Sequence, residues 1–265
     1  MNYETVIPVP SENMDKKPTY ETGQAGIADY GQDFEYGTSV ATSMHMIRLG
    51  FIRKVYGILS LQLGFTVFLS SLFMLNENLT VAVLKNPWLL WVGLLATVGA
   101  LFALVFYKNQ YPTNMYLLGL FTFGESFMVA TVCALFRSAG LGVVVFEAFL
   151  LTALVFTSLT AYCFYSKKDF SFLGGFLWAG LLCLFGAAMI NMLLGWTGNF
   201  SPGFSFLISV VGSLLFCGYI LFDTSLLINR LSPDEYILAA ISLYLDVINL
   251  FMYLLQILSY LQRDN

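Results

Sequence analysis

The sequence predicts an all-α membrane protein, a bundle of seven transmembrane helices. Of its 265 residues, 58% are hydrophobic and only 11% are charged, and the mean hydropathy is +0.77. A soluble domain carries about 25% charged residues, so this chain is too apolar for a water-soluble enzyme. The apolar residues also fall into long stretches, each close to the ~20 residues that a helix needs to cross about 30 Å of hydrocarbon.

The first 45 residues contain no apolar run and are predicted to form a disordered, acidic, cytosolic tail. This segment is rich in Pro, Gly and Tyr and holds seven of the sixteen acids of the chain, a composition typical of disorder. A secretory signal peptide would need an apolar stretch near its start. The acidic balance, a net charge of -4, argues against nucleic acid as a partner.

The predicted spans form one transmembrane domain, residues 46–265. Short polar connections such as "KNQYPTN", "SKKDFS" and "NRLSPDEY" separate them, which favours antiparallel neighbours and leaves no room for a second domain. The last span contains Asp246 and Asn249, so the sequence leaves open whether it crosses the membrane completely. We place the seven spans at 52–75, 88–107, 115–136, 141–165, 172–194, 204–228 and 237–261.

The basic residues predict a cytosolic N-terminus, because Lys and Arg concentrate on the cytosolic side of membrane proteins. In that orientation, and leaving aside the N-terminal tail, the cytosolic side has seven basic residues, and the opposite side has only Lys85, Arg137 and Arg263. The seven are Arg48, Arg53, Lys54, Lys108, Lys167, Lys168 and Arg230.

The four cysteines, at positions 133, 163, 183 and 217, all lie in apolar runs and form no C-x-x-C pair. The single histidine, His45, cannot complete a zinc site with them. We therefore expect buried, inert thiols, no disulfide framework and no cofactor.

Four acids fall within the predicted spans: Glu125, Glu147, Asp223 and Asp246. An ionisable group at membrane depth costs about 2.5–3.5 kcal/mol on insertion scales, and such groups usually mark an ion or proton path. Glu147 lies near the start of its span, so an interfacial position and a functional one both stay open. Glu125 lies deeper, where it could either hydrogen-bond a neighbouring helix or serve function.

Asp223 and Asp246 are predicted to form a carboxylate pair. They lie about five and ten residues from the turn that joins the last two spans, which corresponds to depths of roughly 8 and 15 Å at a 1.5 Å rise per residue. Side chains tilt toward the N-terminus of their own helix, which narrows the gap between the two groups. Carboxylate oxygens suit Ca²⁺, so the pair is a candidate site for transient calcium binding.

The turn between these spans, "SPDE", has the pattern of a capped helix start. Ser232 and Glu235 fit a capping box, and Pro233 suits the first helical position. Capping alone explains the acids at 234 and 235. The alternative is that Asp234 and Glu235 concentrate cations at a pore mouth.

The stretch "GSLLFCGYILFDTSLLINRLSPDEYILAAISLYLDVINLF" resembles the signature of the transmembrane BAX-inhibitor motif family, also called Lifeguard proteins. The segments "EYGTSVATSMHMIRLGFIRKVYGILSLQL" and "LSPDEYILAAISLYLD" are most similar to its Golgi anti-apoptotic protein branch. The likeness covers about residues 35–261. The branch often has two glutamates after Ser-Pro, whereas here the first is Asp234, which keeps the charge.

The resemblance implies that six helices surround the C-terminal one, and that the protein is a calcium leak channel of a Golgi or endoplasmic reticulum membrane that inhibits apoptosis. It implies that Asp223 and Asp246 form a pH sensor and that a basic residue pairs with them to latch the pore shut. Lys108 and Arg230 are the candidates for this latch. The expected partners are membrane lipid and calcium ion, with cell-death regulators or calcium-release channels as candidates.

Three other functions are alternatives to the calcium channel: a protease, a transporter and a scaffold. An intramembrane aspartyl protease also uses two aspartates on neighbouring spans, but the Gly-x-Gly-Asp pattern of such proteases is missing around both aspartates, so we expect no enzyme. A proton-coupled transporter often has internal repeats, and none is evident between the halves. A scaffold for cell-death regulators would depend on the N-terminal tail.

Overall fold

The computed structural model describes the backbone from residue 25 onward, apart from residues 87, 167, 200, 264 and 265, and the side chains from residue 46 onward with the further exception of residue 84. The chain divides into two compact units, 1–45 and 46–265. In the described part the backbone is helical and contains no strand. The helices are α1 (Ala25–Leu75), α2 (Glu77–Lys85), α3 (Trp88–Tyr107), α4 (Thr113–Ser138), α5 (Gly142–Ser166), α6 (Gly174–Trp196), α7 (Pro202–Asn229) and α8 (Tyr236–Arg263).

Seven of these helices are long and apolar enough to cross a membrane, which confirms the predicted seven-helix transmembrane bundle. The apolar segments that could span are Met46–Leu75, Trp88–Tyr107, Thr113–Ser138, Gly142–Ser166, Ser171–Trp196, Pro202–Asn229 and Pro233–Arg263. Each overlaps a predicted span, because a run of apolar residues satisfies its backbone hydrogen bonds in lipid only as a helix.

Two segments differ from the prediction. The backbone is helical from Ala25, where we predicted a disordered tail; no proline lies between Pro18 and Pro87 to break that helix. The prediction for residues 1–24 falls outside the described residues. The polar connection after α1 contains the short helix α2, whose first turn is capped because Asn76 accepts a hydrogen bond from the backbone N–H of Asn78 at 3.1 Å.

The final helix α8 is continuous over 28 residues, so Asp246 and Asn249 do not interrupt it. The side-chain amide of Asn249 donates to the carbonyl of Leu245 in the same helix at 2.8 Å, which satisfies a polar group that lipid could not. The uninterrupted helix α8 is therefore long enough to cross the membrane.

The C-terminal helix is also the most buried of the seven spans: 61% of its apolar window is buried, against 56% for α4 and 39% or less for the others. It packs against α4, α5 and α7. This burial supports the expected central position of α8, which stays a prediction. The buried side of α8 has alternating spacings of four and three residues and is made by Ile237, Ile241, Tyr244, Ile248, Phe251 and Leu255.

Two glycine turns hold neighbouring spans antiparallel. Gly140 follows α4 with φ 82° and Gly198 follows α6 with φ 78°, a left-handed conformation that favours glycine. After α4, the backbone N–H of Gly140 donates to the carbonyl of Arg137 at 2.9 Å, and the backbone N–H of Leu141 donates to the carbonyl of Phe136 at 2.9 Å. These two hydrogen bonds together form a Schellman motif, which lets the chain reverse within a few residues.

Candidate ion site

The two intramembrane aspartates meet between α7 and α8. The carboxyl groups of Asp223 on α7 and Asp246 on α8 lie within hydrogen-bonding reach of each other. Asp246 is only 4% exposed, whereas Asp223 is half-buried. The structure therefore brings together the pair that the sequence predicted.

The chemistry of this pair follows from its confinement. Two carboxylates in contact repel each other when both are ionised, which disfavours the doubly charged state of the pair. In the described part of the chain, Oδ2 of Asp246 has no N–H or O–H donor. A buried carboxylate oxygen without a donor is costly to keep charged, so the site favours either a proton or a cation.

Lys108, the first candidate latch, does not reach the aspartate pair. It lies just after α3 and forms a salt bridge with Glu235, with 3.9 Å between Nζ and Oε1. Both side chains are about one-third exposed, so the bridge contributes little to stability. Lys108 therefore does not pair with the aspartates, because its Nζ lies beside Glu235, which is eleven residues, or about 16 Å, from Asp246 along the helix.

Arg230, the second candidate, pairs with Asp169 in the connection between α5 and α6. Its Nη2 lies 2.7 Å and its Nε 3.3 Å from Oδ2 of Asp169. The hydrogen bond from Arg230 and the backbone N–H of Ser171 lower the pKa of Asp169 to about 2. Arg230 caps the end of α7, seven residues or about 10 Å from Asp223 along the helix, so it too is not the expected latch.

Sequence reasoning missed Asp169. Its signal was an acid directly after two lysines in the short connection "SKKDFS". Ser225 Oγ accepts the backbone N–H of Phe170 at 2.8 Å and lies 3.4 Å from Asp169 Oδ1. These contacts fasten the α5–α6 connection to the last turns of α7.

At the turn before α8, the capping interpretation is confirmed. Pro233–Glu235 forms a short 3-10 helix, and Glu235 Oε2 accepts the backbone N–H of Ser232 at 3.2 Å in a capping box. Glu235 thus has both a cap and the Lys108 contact, whereas Asp234 is exposed. A pore-mouth role for either acid stays a prediction.

The other two intramembrane acids lie apart from the pair. Glu125 is half-buried on α4 and lies within electrostatic range of Tyr244. Glu147 is exposed near the start of α5, beside a cavity of about 370 Å³ that Leu258 and Gln262 also line. No ion pair or hydrogen bond within the described residues joins either acid to the aspartates.

Comparison with known proteins identifies the family of the chain. The family model described as Inhibitor of apoptosis-promoting Bax1 matches residues 48–264. The chain belongs to this family. That description refers to the inhibition of apoptosis and not to an enzymatic reaction, and the resemblance stated from the sequence is confirmed.

Relatives of the Bax1-inhibitor family cover most of the chain. Protein lifeguard 4 of Mus musculus is 42% identical over 226 residues, which are 85% of this chain and 91% of that protein. The Golgi anti-apoptotic protein of Vaccinia virus (strain Lister) is 42% identical over 228 residues, 85% of this chain and 92% of that protein. Bax inhibitor 1 of Schizosaccharomyces pombe is 38% identical over 232 residues, 88% of this chain and 84% of that protein.

This family member also has a buried hydroxyl network that sequence reasoning missed. Thr66 Oγ1 on α1 lies 2.8 Å from Ser126 Oγ on α4 and 2.8 Å from the hydroxyl of Tyr244 on α8. One turn away, Gln62 Nε2 donates to Thr122 Oγ1 at 3.0 Å. The available signal was the four-residue spacing of Gln62 and Thr66 on one span and of Thr122 and Ser126 on another. The network links α1 and α4 to the helix that holds Asp246.

Proposed function

We propose that the protein is a pH-sensitive calcium leak channel of an intracellular membrane, of the Golgi or the endoplasmic reticulum, that lowers store calcium and inhibits apoptosis. The observation that carries this proposal is the contact of Asp223 and Asp246 inside a membrane-spanning bundle. The name of the vaccinia relative and the description of the family model support an anti-apoptotic role, and the vaccinia name supports the Golgi. The distribution of basic residues supports a cytosolic N-terminus.

The aspartate pair suits a permeant calcium ion better than a stored one. Ca²⁺ takes about six to eight oxygen ligands, and two carboxylates offer at most about four. Within the described residues no three His, Cys, Asp or Glu side chains cluster, so water or backbone oxygens must complete the shell. Such a site binds weakly, and conduction requires that an ion can leave as well as bind.

The same pair is proposed as the pH sensor. Of the three protonation states, the pair with both carboxylates ionised attracts Ca²⁺ most strongly, so release of the ion is slowest. With one shared proton, the charge is lower and the ion passes more easily. With two protons, the pair is neutral and no longer attracts Ca²⁺. Flux should therefore rise on mild acidification and fall again at lower pH, as expected for a coupled pair.

The deciding experiment is calcium flux from purified protein in liposomes, measured across a pH series. Asp223→Asn and Asp246→Asn are each expected to change the flux strongly and to flatten its pH profile. Glu77→Gln is the matched control, because Glu77 is an exposed acid in the first turn of α2. Equal effects at all three positions would refute the assignment of the site.

Three other measurements separate the alternative functions from the channel. Saturable uptake driven by a proton gradient would favour a transporter. Loss of protection from cell death on deletion of residues 1–40, with calcium flux unchanged, would favour a scaffold for cell-death regulators. Cleavage of a membrane substrate that Asp246→Asn abolishes would favour a protease.

A further inference from the structure

A stripe of polar and aromatic residues runs along α8 from the aspartate pair to the opposite end of the helix. Its positions alternate by three and four residues, so they share one face of the helix. That face contacts α7: Ser209 Oγ donates to Gln256 Oε1 at 2.8 Å, and the rings of Phe206 and Tyr260 lie 4.6 Å apart. The stripe consists of Asp246, Asn249, Tyr253, Gln256, Tyr260 and Arg263.

At its far end the stripe opens into a groove between the start of α7 and the end of α8. The groove has a volume of about 350 Å³ and is lined by Pro202, Phe206 and Tyr260 together with the polar side chains of Ser205, Ser209, Gln256, Ser259 and Arg263. Ser209 is fully buried and donates to Gln256 Oε1, and Ser259 is 8% exposed and donates to the Gln256 carbonyl. The groove therefore gathers hydrogen-bonding groups that hydrocarbon could not satisfy.

Tyr253 lies along α8 between Gln256, which lines the groove, and Asp246 of the aspartate pair. A Cβ at Gly212 would lie 2.8 Å from three atoms of the ring, so the ring packs directly on the backbone of α7, a position that only glycine permits. The opposite contact is Phe216, whose ring is stacked with Tyr253 at 5.9 Å. Tyr253 is seven residues, or about 10 Å, from Asp246 along the helix.

We propose that the groove is the outer vestibule of the cation path, and that Tyr253, held between Gly212 and Phe216, is the constriction that separates this vestibule from the Asp223–Asp246 pair. The inference rests on the proposed calcium leak and names the route by which the ion reaches its site. The vestibule would admit a hydrated divalent cation, because its neutral oxygen groups from Ser205, Ser209, Gln256 and Ser259 can hydrogen-bond the water shell. The one cation on its rim, Arg263, opposes cation entry, and selection is left to the carboxylates.

The first test is calcium flux in liposomes at neutral pH. Tyr253→Ala is expected to raise the flux severalfold, because it removes the ring, and Tyr253→Phe, which keeps the ring, to leak less than Tyr253→Ala. Gly212→Ala is also expected to change the flux, because its Cβ displaces the ring. The matched control is Phe185→Ala, an aromatic deletion on α6 at a side chain that is 65% exposed. A flux of Tyr253→Ala equal to that of the parent would overturn the proposal.

The second test does not depend on calcium. A membrane-impermeant cationic thiol reagent is applied to proteoliposomes from both sides, and peptide mass spectrometry identifies the modified residue. Gln256→Cys, at an exposed position that lines the groove, is expected to react, and Asn249→Cys to react only together with Tyr253→Ala. Leu214→Cys, whose side chain is 68% exposed on the outside of α7, should not react, because lipid excludes the reagent.

The outcomes of the labelling are distinct. Asn249→Cys that reacts equally with Tyr253 present, or that does not react in either background, would overturn the constriction. The expected labelling together with no calcium flux from any variant would refute the proposed function and still support Tyr253 as the barrier of an aqueous path.

Discussion

Within the buried hydroxyl network, the hydrogen bond between Thr66 and Tyr244 can be removed by substituting either residue. The two substitutions should lower the free energy of unfolding by different amounts. Thr66 Oγ1 and the hydroxyl of Tyr244 lie 2.8 Å apart. Tyr244→Phe deletes this bond but leaves Thr66 with the Ser126 hydroxyl at 2.8 Å and with its own helix, since Thr66 also donates to the Gln62 carbonyl at 2.9 Å. The free energy of unfolding should then fall by the contribution of one hydrogen bond. That contribution is about 0.5–1.5 kcal/mol in water-soluble proteins and about 0.6 kcal/mol in a membrane protein.

Thr66→Val deletes the same bond from the other side and should cost more. It leaves the Tyr244 hydroxyl, on a side chain that is 0% exposed, with only the Ser126 contact at 3.4 Å. A buried donor without a good acceptor costs about 1–3 kcal/mol. We therefore expect Thr66→Val to be the more destabilising of the two, and the double variant Thr66→Val/Tyr244→Phe to cost less than the sum of both.

The assay is unfolding of the purified protein in mixed micelles with increasing SDS, followed by circular dichroism. Thr157→Val is the control, because the Thr157 hydroxyl is exposed and bonds only the carbonyls of Ala153 and Leu154 in its own helix. It should change the free energy of unfolding by less than about 0.5 kcal/mol. If Thr66→Val were as mild as Tyr244→Phe, or if the two effects simply added, the argument from the orphaned hydroxyl would be wrong.

Three further predictions concern the connections beside α7 and α8 and the helix contacts. Arg230, followed by the backbone N–H of Ser171, lowers the pKa of Asp169 from 3.8 to about 2, so the contact stabilises the fold fully well above pH 4 and loses this contribution as pH falls through 4 toward 2. Arg230→Gln should lower the melting temperature by a similar amount at neutral and mildly acidic pH and by much less near pH 2. Glu235→Ala should destabilise the start of α8 by about 0.5–2 kcal/mol, as lost caps do, measured as a lower midpoint in SDS. Gly124→Ala should destabilise by about 1–3 kcal/mol, because its Cβ would strike the hydroxyl of Thr97 on α3, which reduced thermal stability in detergent would show.

Each of these has its own control. Asp169→Asn should reproduce the effect of Arg230→Gln, and an effect of Arg230→Gln as large at pH 2 as at neutral pH would contradict the pairing. Lys108→Gln breaks the salt bridge to Glu235 but keeps the cap, so an effect as large as that of Glu235→Ala would show that the cap is not the main contribution. Gly186→Ala is the comparison for Gly124→Ala, because no atom lies within 4 Å of its added Cβ.

The pattern of residues along the chain was sufficient to predict the seven spans, their order and the cap of α8. Each depends on neighbours in sequence: a span needs about 20 apolar residues, and a capping box needs Ser232 and Glu235 three positions apart. The pairing of Asp223 with Asp246 was also predictable, because a short turn places the last two helices side by side and the depth of each residue follows from the rise per residue.

The tertiary structure decided which charges meet. The sequence offered Lys108 and Arg230 as partners of the aspartates, yet each pairs with a different acid, Glu235 and Asp169, across a connection. The range of a long side chain, a few ångströms, is smaller than the uncertainty in where a loop places it, so sequence position alone cannot choose among nearby acids.

Two further contacts were decided by the tertiary structure: the packing of Tyr253 on Gly212 and the hydrogen bond between Thr66 and Tyr244. Both depend on how helices distant in sequence rotate about their axes, a quantity set by the packing of all their side chains together. Local composition determined that this chain has seven membrane-spanning helices and two acids near the turn between the last two of them. The rotation and contact of those helices determine where a proton or a cation can lie between them.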